Sequence, residues 1–157
     1  MLMDKIADLR AGVAPGRRLL GLDLGRKTIG LGLSDVTWTV ASPLGTIARR
    51  RLAEDLADLL AEVDRQQAGG LVVGLPIGLD GREGPRCQSV RQFVRDLLKL
   101  RDLPVAFFDE RLSTAAVERM LVDEVDMSRR RRRQVVDKLA AAYILQGALD
   151  LLRRPAG

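Results

Sequence analysis

The chain has 157 residues, 46% hydrophobic and 30% charged, with a formal net charge of +5 and a sequence pI near 10.1. That length fits one domain able to bury a core without staples, and the modest positive balance favours an anionic partner without choosing between nucleic acid, anionic lipid and a small phosphate ligand. The lack of any histidine and the single cysteine, Cys87, exclude Ser-His-Asp and Cys-His catalysis, a structural zinc site and an intramolecular disulfide.

The lone cysteine suits a reducing compartment. The N-terminus carries no apolar signal core, and no apolar run approaches membrane-spanning length. A soluble, cytoplasmic protein with no membrane partner is expected. Catalysis in such a chain must rest on carboxylates, Lys, Tyr, hydroxyls or a hard metal held by oxygen, and carboxylate clusters prefer Mg²⁺ or Mn²⁺.

In chain order, residues 1–17 read as a loosely attached lead-in, with one helical turn at Ile6 and Leu9 ended by Val13-Ala14-Pro15-Gly16. Residues 18–24 read as a buried strand and 29–34 as a second, joined through a turn at 25–28 as an antiparallel hairpin. Gly30 and Gly32 alternate with Ile29, Leu31 and Leu33, so one face is bare and open either to a ligand or to a tightly packed helix. Residues 38–40 and then 43–48 suggest a third strand. Leu52, Leu56, Leu59, Leu60 and Val63 recur at helical spacing, which predicts an amphipathic helix over 51–67 closed by Gly69-Gly70. Residues 71–75 form a short apolar strand of the buried, parallel kind. A Gly- and Pro-rich loop over 76–85 leads to a helix over about 88–100 and a strand over 105–108. A helix over 114–122 with Ser113 as N-cap and Glu118 in its early turns, an irregular polar stretch over 123–133, a final helix over 134–152 and a tail over 153–157 complete the reading. The order β-β-β-α-β-α-β-α-α predicts a mixed α/β sheet of about five strands, antiparallel at first and then parallel, with helices on both faces.

Three carboxylates fall at strategic ends. Chemistry in open α/β sheets collects outside the carboxyl ends of parallel strands. Asp23 ends the first strand and Glu110 follows the strand over 105–108. Asp137 shares one helix face, at about 100° per residue, with Ala140, Ala141, Ile144 and Ala148. That face is small and apolar, so its one acid belongs to the stripe expected to be buried. Three converging carboxylates repel one another unless one is protonated or divalent cations hold them. A two-metal site accounts for all three and for a nuclease without histidine. Lys27 or Arg111 would screen the developing charge. Cys87 has Arg86 beside it but no base and reads as incidental; Tyr143 lies off the Asp137 face and reads as packing.

Four ordered motifs carry a resemblance. Gly21-Leu22-Asp23-Leu24-Gly25-x-Lys27-x-x-Gly30-x-x-x-Ser34-Asp35, Val73-Gly74-Leu75-Pro76-x-x-x-Asp80-Gly81, Asp109-Glu110-Arg111-Leu112-Ser113-Thr114 and Val136-Asp137-x-x-Ala140-Ala141-x-x-Ile144-Leu145-Gln146 resemble the YqgF/RuvX family. That family is described both as Holliday-junction resolvases and as pre-16S rRNA processing nucleases. The resemblance runs from about Arg18 to Leu152 and implies an RNase H-like fold, with Asp23, Glu110 and Asp137 at the family's acidic catalytic positions, binding Mg²⁺ or Mn²⁺. Two positions depart from the pattern: Thr28 stands where a basic residue is common, and Gly78 where Asn is common.

The basic residues are unevenly spread. Arg129, Arg130, Arg131, Arg132 and Arg133 lead into the helix bearing Asp137, where five cations oppose the helix dipole. A phosphate backbone passing over the site reverses that penalty. Arg82 and Arg86 belong to the same rim, whereas Arg49-Arg50-Arg51 reads as a solvated surface. With aromatics at 3% of residues, stacking platforms are scarce, and recognition by backbone and shape is expected. The partner is therefore expected to be structured RNA or branched DNA, including ribosomal precursor particles, with monomer and homodimer both open. Two other readings compete: a non-catalytic nucleic-acid-binding or ribosome-assembly factor, and an actin-like or sugar-kinase ATPase. The last needs two such domains around a cleft.

Overall fold

The computed structural model describes residues 1–112 and 129–153. A 3-10 turn, Ile6–Asp8, runs into a single helical turn, α1 (Leu9–Gly12). β1 (Arg18–Leu24), β2 (Thr28–Ser34) and β3 (Ala41–Ala48) follow as an antiparallel meander. α2 (Leu52–Arg65) leads to β4 (Ala68–Leu75), and α3 (Pro85–Leu100) to β5 (Val105–Asp109). A 3-10 turn, Glu110–Leu112, ends the first described stretch, and α4 (Arg129–Arg153) forms the second. The sheet order is β3-β2-β1-β4-β5, with β4 parallel to β1 and β5 parallel to β4. This is the expected mixed sheet. No described helix is long and apolar enough to cross a membrane.

Strand alternation sorts the side chains into two cores. Leu20, Leu22, Leu24, Ile29, Leu31, Leu71, Val73 and Leu75 face α2 and α3, meeting Leu56, Leu59, Val63, Val90, Phe93, Val94 and Leu97. On the other face Leu19, Val72, Ala106 and Phe108 meet Ile144, Leu145, Ala148 and Leu149 of α4. Each fully buried aliphatic side chain contributes about 1.5–3 kcal/mol.

The bare glycine face is a helix seat. A Cβ on Gly32 would stand 3.0 Å from the backbone of Ala141, and one on Gly21, its cross-strand partner, 2.9 Å from the Ala141 oxygen. A Cβ on Gly30 would stand 2.1 Å from the backbone oxygen of Asp137. The spacing fits: four helical residues rise about 6 Å, close to the two-residue step of a strand, about 6.6 Å. Gly30 and Gly32 therefore receive Asp137 and Ala141 in step.

Five expectations change. Gly69-Gly70, expected to close α2, lie inside β4, and the helix ends at Arg65 with Gln66 as its C-cap. The lead-in is not loose: Leu2 bridges Val105, with Met3 N–H donating to the Val105 carbonyl at 2.7 Å and Val105 N–H to that of Met1 at 3.0 Å. This pairs the first residue of β5 with the N-terminal segment, and Ile6, Leu9 and Val13 are buried in the α4-side core. α4 begins at Arg129, so residues 129–133, expected to be irregular, are helical backbone. The helix expected over 114–122, with Ser113 and Glu118, lies outside the described residues, as do residues 123–128 and the tail beyond Arg153. Residues 38–40 are not part of β3, which starts at Ala41. Finally, Arg49 is not merely solvated. Its Nη1 donates to the Gly25 carbonyl at 2.9 Å, its Nε lies 3.4 Å from buried Asp55, and its guanidinium stands 5.5 Å from the Phe93 ring centre.

The β2–β3 connection is organised by Asp35. Its carboxylate accepts the Thr37 hydroxyl and the Thr39 and Val40 N–H groups, which lowers its pKa to about 2, the Thr37 hydroxyl contributing most. A depressed carboxyl stabilises the fold fully above its unfolded pKa, near 3.9, and that stability is lost as pH falls through the folded value near 2. Asp35→Asn is therefore expected to lower Tm by a few degrees at pH 6 and by much less at pH 2, read from thermal melts across that range.

Candidate active site

Asp23 occupies the last position but one of β1, 4% exposed, on the face covered by α4. Its cross-strand partner on β2 is Gly30. On the other side, Leu22 pairs with Val73, which places Gly74 of β4 next beyond that pair, alongside Asp23. Both neighbours thus lack side chains; the backbone and Cβ of Asp137 fill the space over Gly30, and Ile144 with Glu110 fills the space over Gly74. Over Gly30 lies Asp137, whose Cβ is 3.1 Å from where a glycine Cβ would be. Over Gly74 lies Glu110, its Oε1 2.7 Å from the corresponding point.

Local sequence explains each placement. Asp23 follows an unbroken apolar run that drives β1 into the sheet centre. Glu110 opens the 3-10 turn directly after β5, which holds its side chain at the carboxyl end of the parallel strands. Asp137 rides on the Ala140–Ala141–Ile144–Ala148 stripe of α4, whose members are at most 1% exposed. The Asp137 carboxylate accepts the Thr28 hydroxyl at the start of β2. A Cβ on Gly25 would stand 3.7 Å from Asp137 Oδ2, so the hairpin turn runs beneath that carboxylate.

Asp23 and Asp137 line one open pocket of about 350 Å³ with Arg26, Lys27, Thr28 and Arg86. Lys27 and Arg26 come from the hairpin turn and Arg86 from the first turn of α3. Glu110 stands on the β4 flank of Asp23 rather than on that pocket's wall. Arg82 lies on the exposed loop before α3, 3.8 Å from Asp80. Arg111 is committed to Asp109, with Nη2 donating at 2.6 Å and Nε at 3.0 Å to Oδ2. That pairing holds the Asp109 carboxyl below its usual range. Arg129, Arg130, Arg131, Arg132 and Arg133 enter as helical backbone in the turns before Asp137. Cys87 is fully buried, and burial above all pushes its thiol pKa up, which disfavours the nucleophilic thiolate.

Arg26, Gly74 and the Thr28–Asp137 bond are additions to the sequence reading. The glycine before Leu75-Pro76 was the available signal for Gly74, since a glycine inside a buried strand marks a close approach. Among the described residues no group of three or more acidic or thiol side chains already stands as a ready-made metal cage. The donor set offered is nonetheless all carboxylate oxygen, the chemistry that suits a hard divalent cation. A Cβ on Gly30 would collide with the Asp137 backbone, and one on Gly74 with the Ile144 and Glu110 side chains, so the two glycines are what let Asp137 and Glu110 pack over the strands beside Asp23.

Comparison with known proteins agrees with this architecture. The family model described as "RuvX: Holliday junction resolvase" matches residues 17–151. A protein of Paramagnetospirillum magneticum is 61% identical over 144 residues, covering 92% of each chain. One of Phenylobacterium zucineum is 56% identical over 154 residues, 98% of this chain and 99% of its own. Both carry the name "Putative pre-16S rRNA nuclease". Among solved structures, Thermus thermophilus RuvC in complex with a Holliday junction substrate superposes with a TM-score of 0.56 at 16% identity, over 86% of this chain and 94% of that one. That likeness gives the fold, an RNase H-like α/β sheet of the RuvC type. On the strength of the family match and of relatives identical at more than half their positions along nearly the whole length, the chain belongs to the RuvX (YqgF) family of Holliday junction resolvases.

Proposed function

We propose that the chain is a Mg²⁺- or Mn²⁺-dependent endonuclease that hydrolyses phosphodiester bonds in structured nucleic acid, its substrate being the 5′ end of pre-16S rRNA during ribosome biogenesis. One observation carries the reading: Asp23 is flanked in the sheet by two glycines, and over them stand Asp137 on one side and Glu110 on the other. Carboxylates carried at the carboxyl ends of buried strands suit a hard divalent cation. Asp23, Glu110 and Asp137 are the residues that would hold it. When bound, such an ion polarises the phosphodiester and makes water a nucleophile near neutral pH.

The chain's own residues do the rest. Lys27 and Arg26, projecting from the hairpin turn, and Arg86, across the pocket, bind and orient the phosphates flanking the cut. Thr28 fixes the orientation of the Asp137 carboxylate through its hydroxyl. Arg82 and the residues of the run 129–133 extend the cationic track along the strand, while Arg111 stays paired with Asp109. Contacts of this kind read backbone and shape rather than base sequence.

The names carried by relatives 50–61% identical favour the rRNA precursor, and the family description favours branched DNA as the second reading. Cleavage of end-labelled pre-16S rRNA fragments and of four-way DNA junctions, each with Mg²⁺ or Mn²⁺ and with chelator, separates them. Metal-dependent cuts near the mature 5′ end of the RNA, with junctions left intact, are expected. Cutting of junctions alone favours the second reading. Tight binding of the RNA with no cleavage under any metal points to a non-catalytic assembly factor and contradicts the proposal.

A further inference from the structure

A second pocket, of about 430 Å³, adjoins the first and shares Gly25, Arg26 and Arg86 with it. Its size falls in the range that takes a small organic ligand, roughly 300–1,000 Å³. Leu52, 44% exposed, gives it apolar surface, and the core residues Leu24, Val90 and Phe93 lie at its floor. Ser89, on an exposed position of α3, adds a hydroxyl, Gln92 and Asp96 line the wall as a hydrogen-bonded pair, and Arg49, held by Asp55 and the Gly25 carbonyl, adds a third guanidinium beside Arg26 and Arg86. A free phosphate has no use for the apolar surface, and an apolar peptide has no use for three arginines. An unstacked nucleobase attached to its phosphate uses both.

Resting on the nuclease reading above, we infer that this pocket receives the base of a nucleotide adjacent to the cut, everted from the stack. The shared wall supports this. A strand with one phosphate beside Asp23 and Lys27 and the next against Arg26 and Arg86 delivers the attached nucleotide over the Gly25–Arg26 turn. Arg49 ties the two pockets together, since it stands over Phe93 and donates to the Gly25 carbonyl. A base seated beside Arg49 therefore bears on the turn beneath the Asp137 carboxylate, and unpaired nucleotides next to the cut become part of substrate recognition. Extruding a base costs least where it is already unpaired, so the site selects single-stranded flanks on otherwise structured RNA.

The test uses the full chain carrying Asp23→Asn to prevent turnover, and RNA hairpins with a single-stranded 5′ tail containing 2-aminopurine at successive positions. Fluorescence is expected to rise several-fold at one tail position only. An abasic nucleotide at that position should weaken binding about tenfold, within the range for loss of one base contact. Ser89→Phe, which fills the pocket from an exposed helix position, should abolish the rise, and Gln92→Ala should diminish it, with circular dichroism confirming the fold of each. No rise at any position, or a rise unchanged by Ser89→Phe, overturns the inference, as does equal binding of the abasic hairpin. Cleavage by the Asp23 protein scores the nuclease reading separately. Metal-dependent cutting without a fluorescence signal sinks the pocket and leaves the nuclease, whereas a Ser89-sensitive signal without cutting supports the pocket and sinks the nuclease.

Discussion

Asp23→Asn is expected to reduce metal-dependent cleavage at least on the order of a thousandfold, about 4 kcal/mol in activation free energy, while leaving the protein folded. The substitution is nearly isosteric. It removes a charge from a position 4% exposed without creating a cavity. The fold should therefore hold as activity disappears. Single-turnover cleavage of a labelled pre-16S rRNA fragment, paired with a urea melt, measures both. Equal cleavage by the variant would place the chemistry elsewhere.

Gly30→Ala should be the most damaging of the Gly→Ala changes among the described residues. The added Cβ would stand 2.1 Å from the backbone oxygen of Asp137 and 2.4 Å from its carbonyl carbon. Backbone on both sides leaves no flexible side chain to yield, so α4 must lift from β2 or β2 must bend. Overpacking typically costs about 1–3 kcal/mol, this site standing at the upper end because the closest contacts are backbone, and the displaced helix carries Asp137 with it. Urea denaturation should show a lower midpoint with an unchanged slope, accompanied by loss of cleavage. Gly45→Ala is the control: it lies on β3 with no atom within 4 Å of the new Cβ and should move stability by no more than about 0.5 kcal/mol.

Much of this was legible in the sequence, and the parts that were not share a cause. Apolar runs and their punctuation placed β1, β2, β4 and β5, because buried strands write their periodicity into composition. Asp23 and Glu110 stood out as charges at the ends of such runs, and Asp137 as the sole acid on a small apolar helix face. The lead-in was misread because its order comes from pairing across more than a hundred residues, Leu2 with Val105, which leaves no local signal. The start of α4 was set too late because two local terms conflict at residues 129–133: arginine is a good helix former, while five cations oppose the N-terminal dipole. The backbone follows propensity. The choice between ligand and helix over Gly30 and Gly32 needed the seated backbone of Asp137 and Ala141, and the Gly74–Glu110 gap needed the register of β4 against β1.

The central claim is that Asp23, Glu110 and Asp137 form one divalent-cation site. Titration of the protein with Mn²⁺, followed by electron paramagnetic resonance of the free ion, tests it without reference to any substrate. Bound Mn²⁺ is predicted for the native chain, with binding weakened at least about tenfold by Asp23→Asn and by Asp137→Asn and competed by Mg²⁺. Native protein that binds no Mn²⁺, or folded variants that bind it as well as the native chain does, would contradict the account.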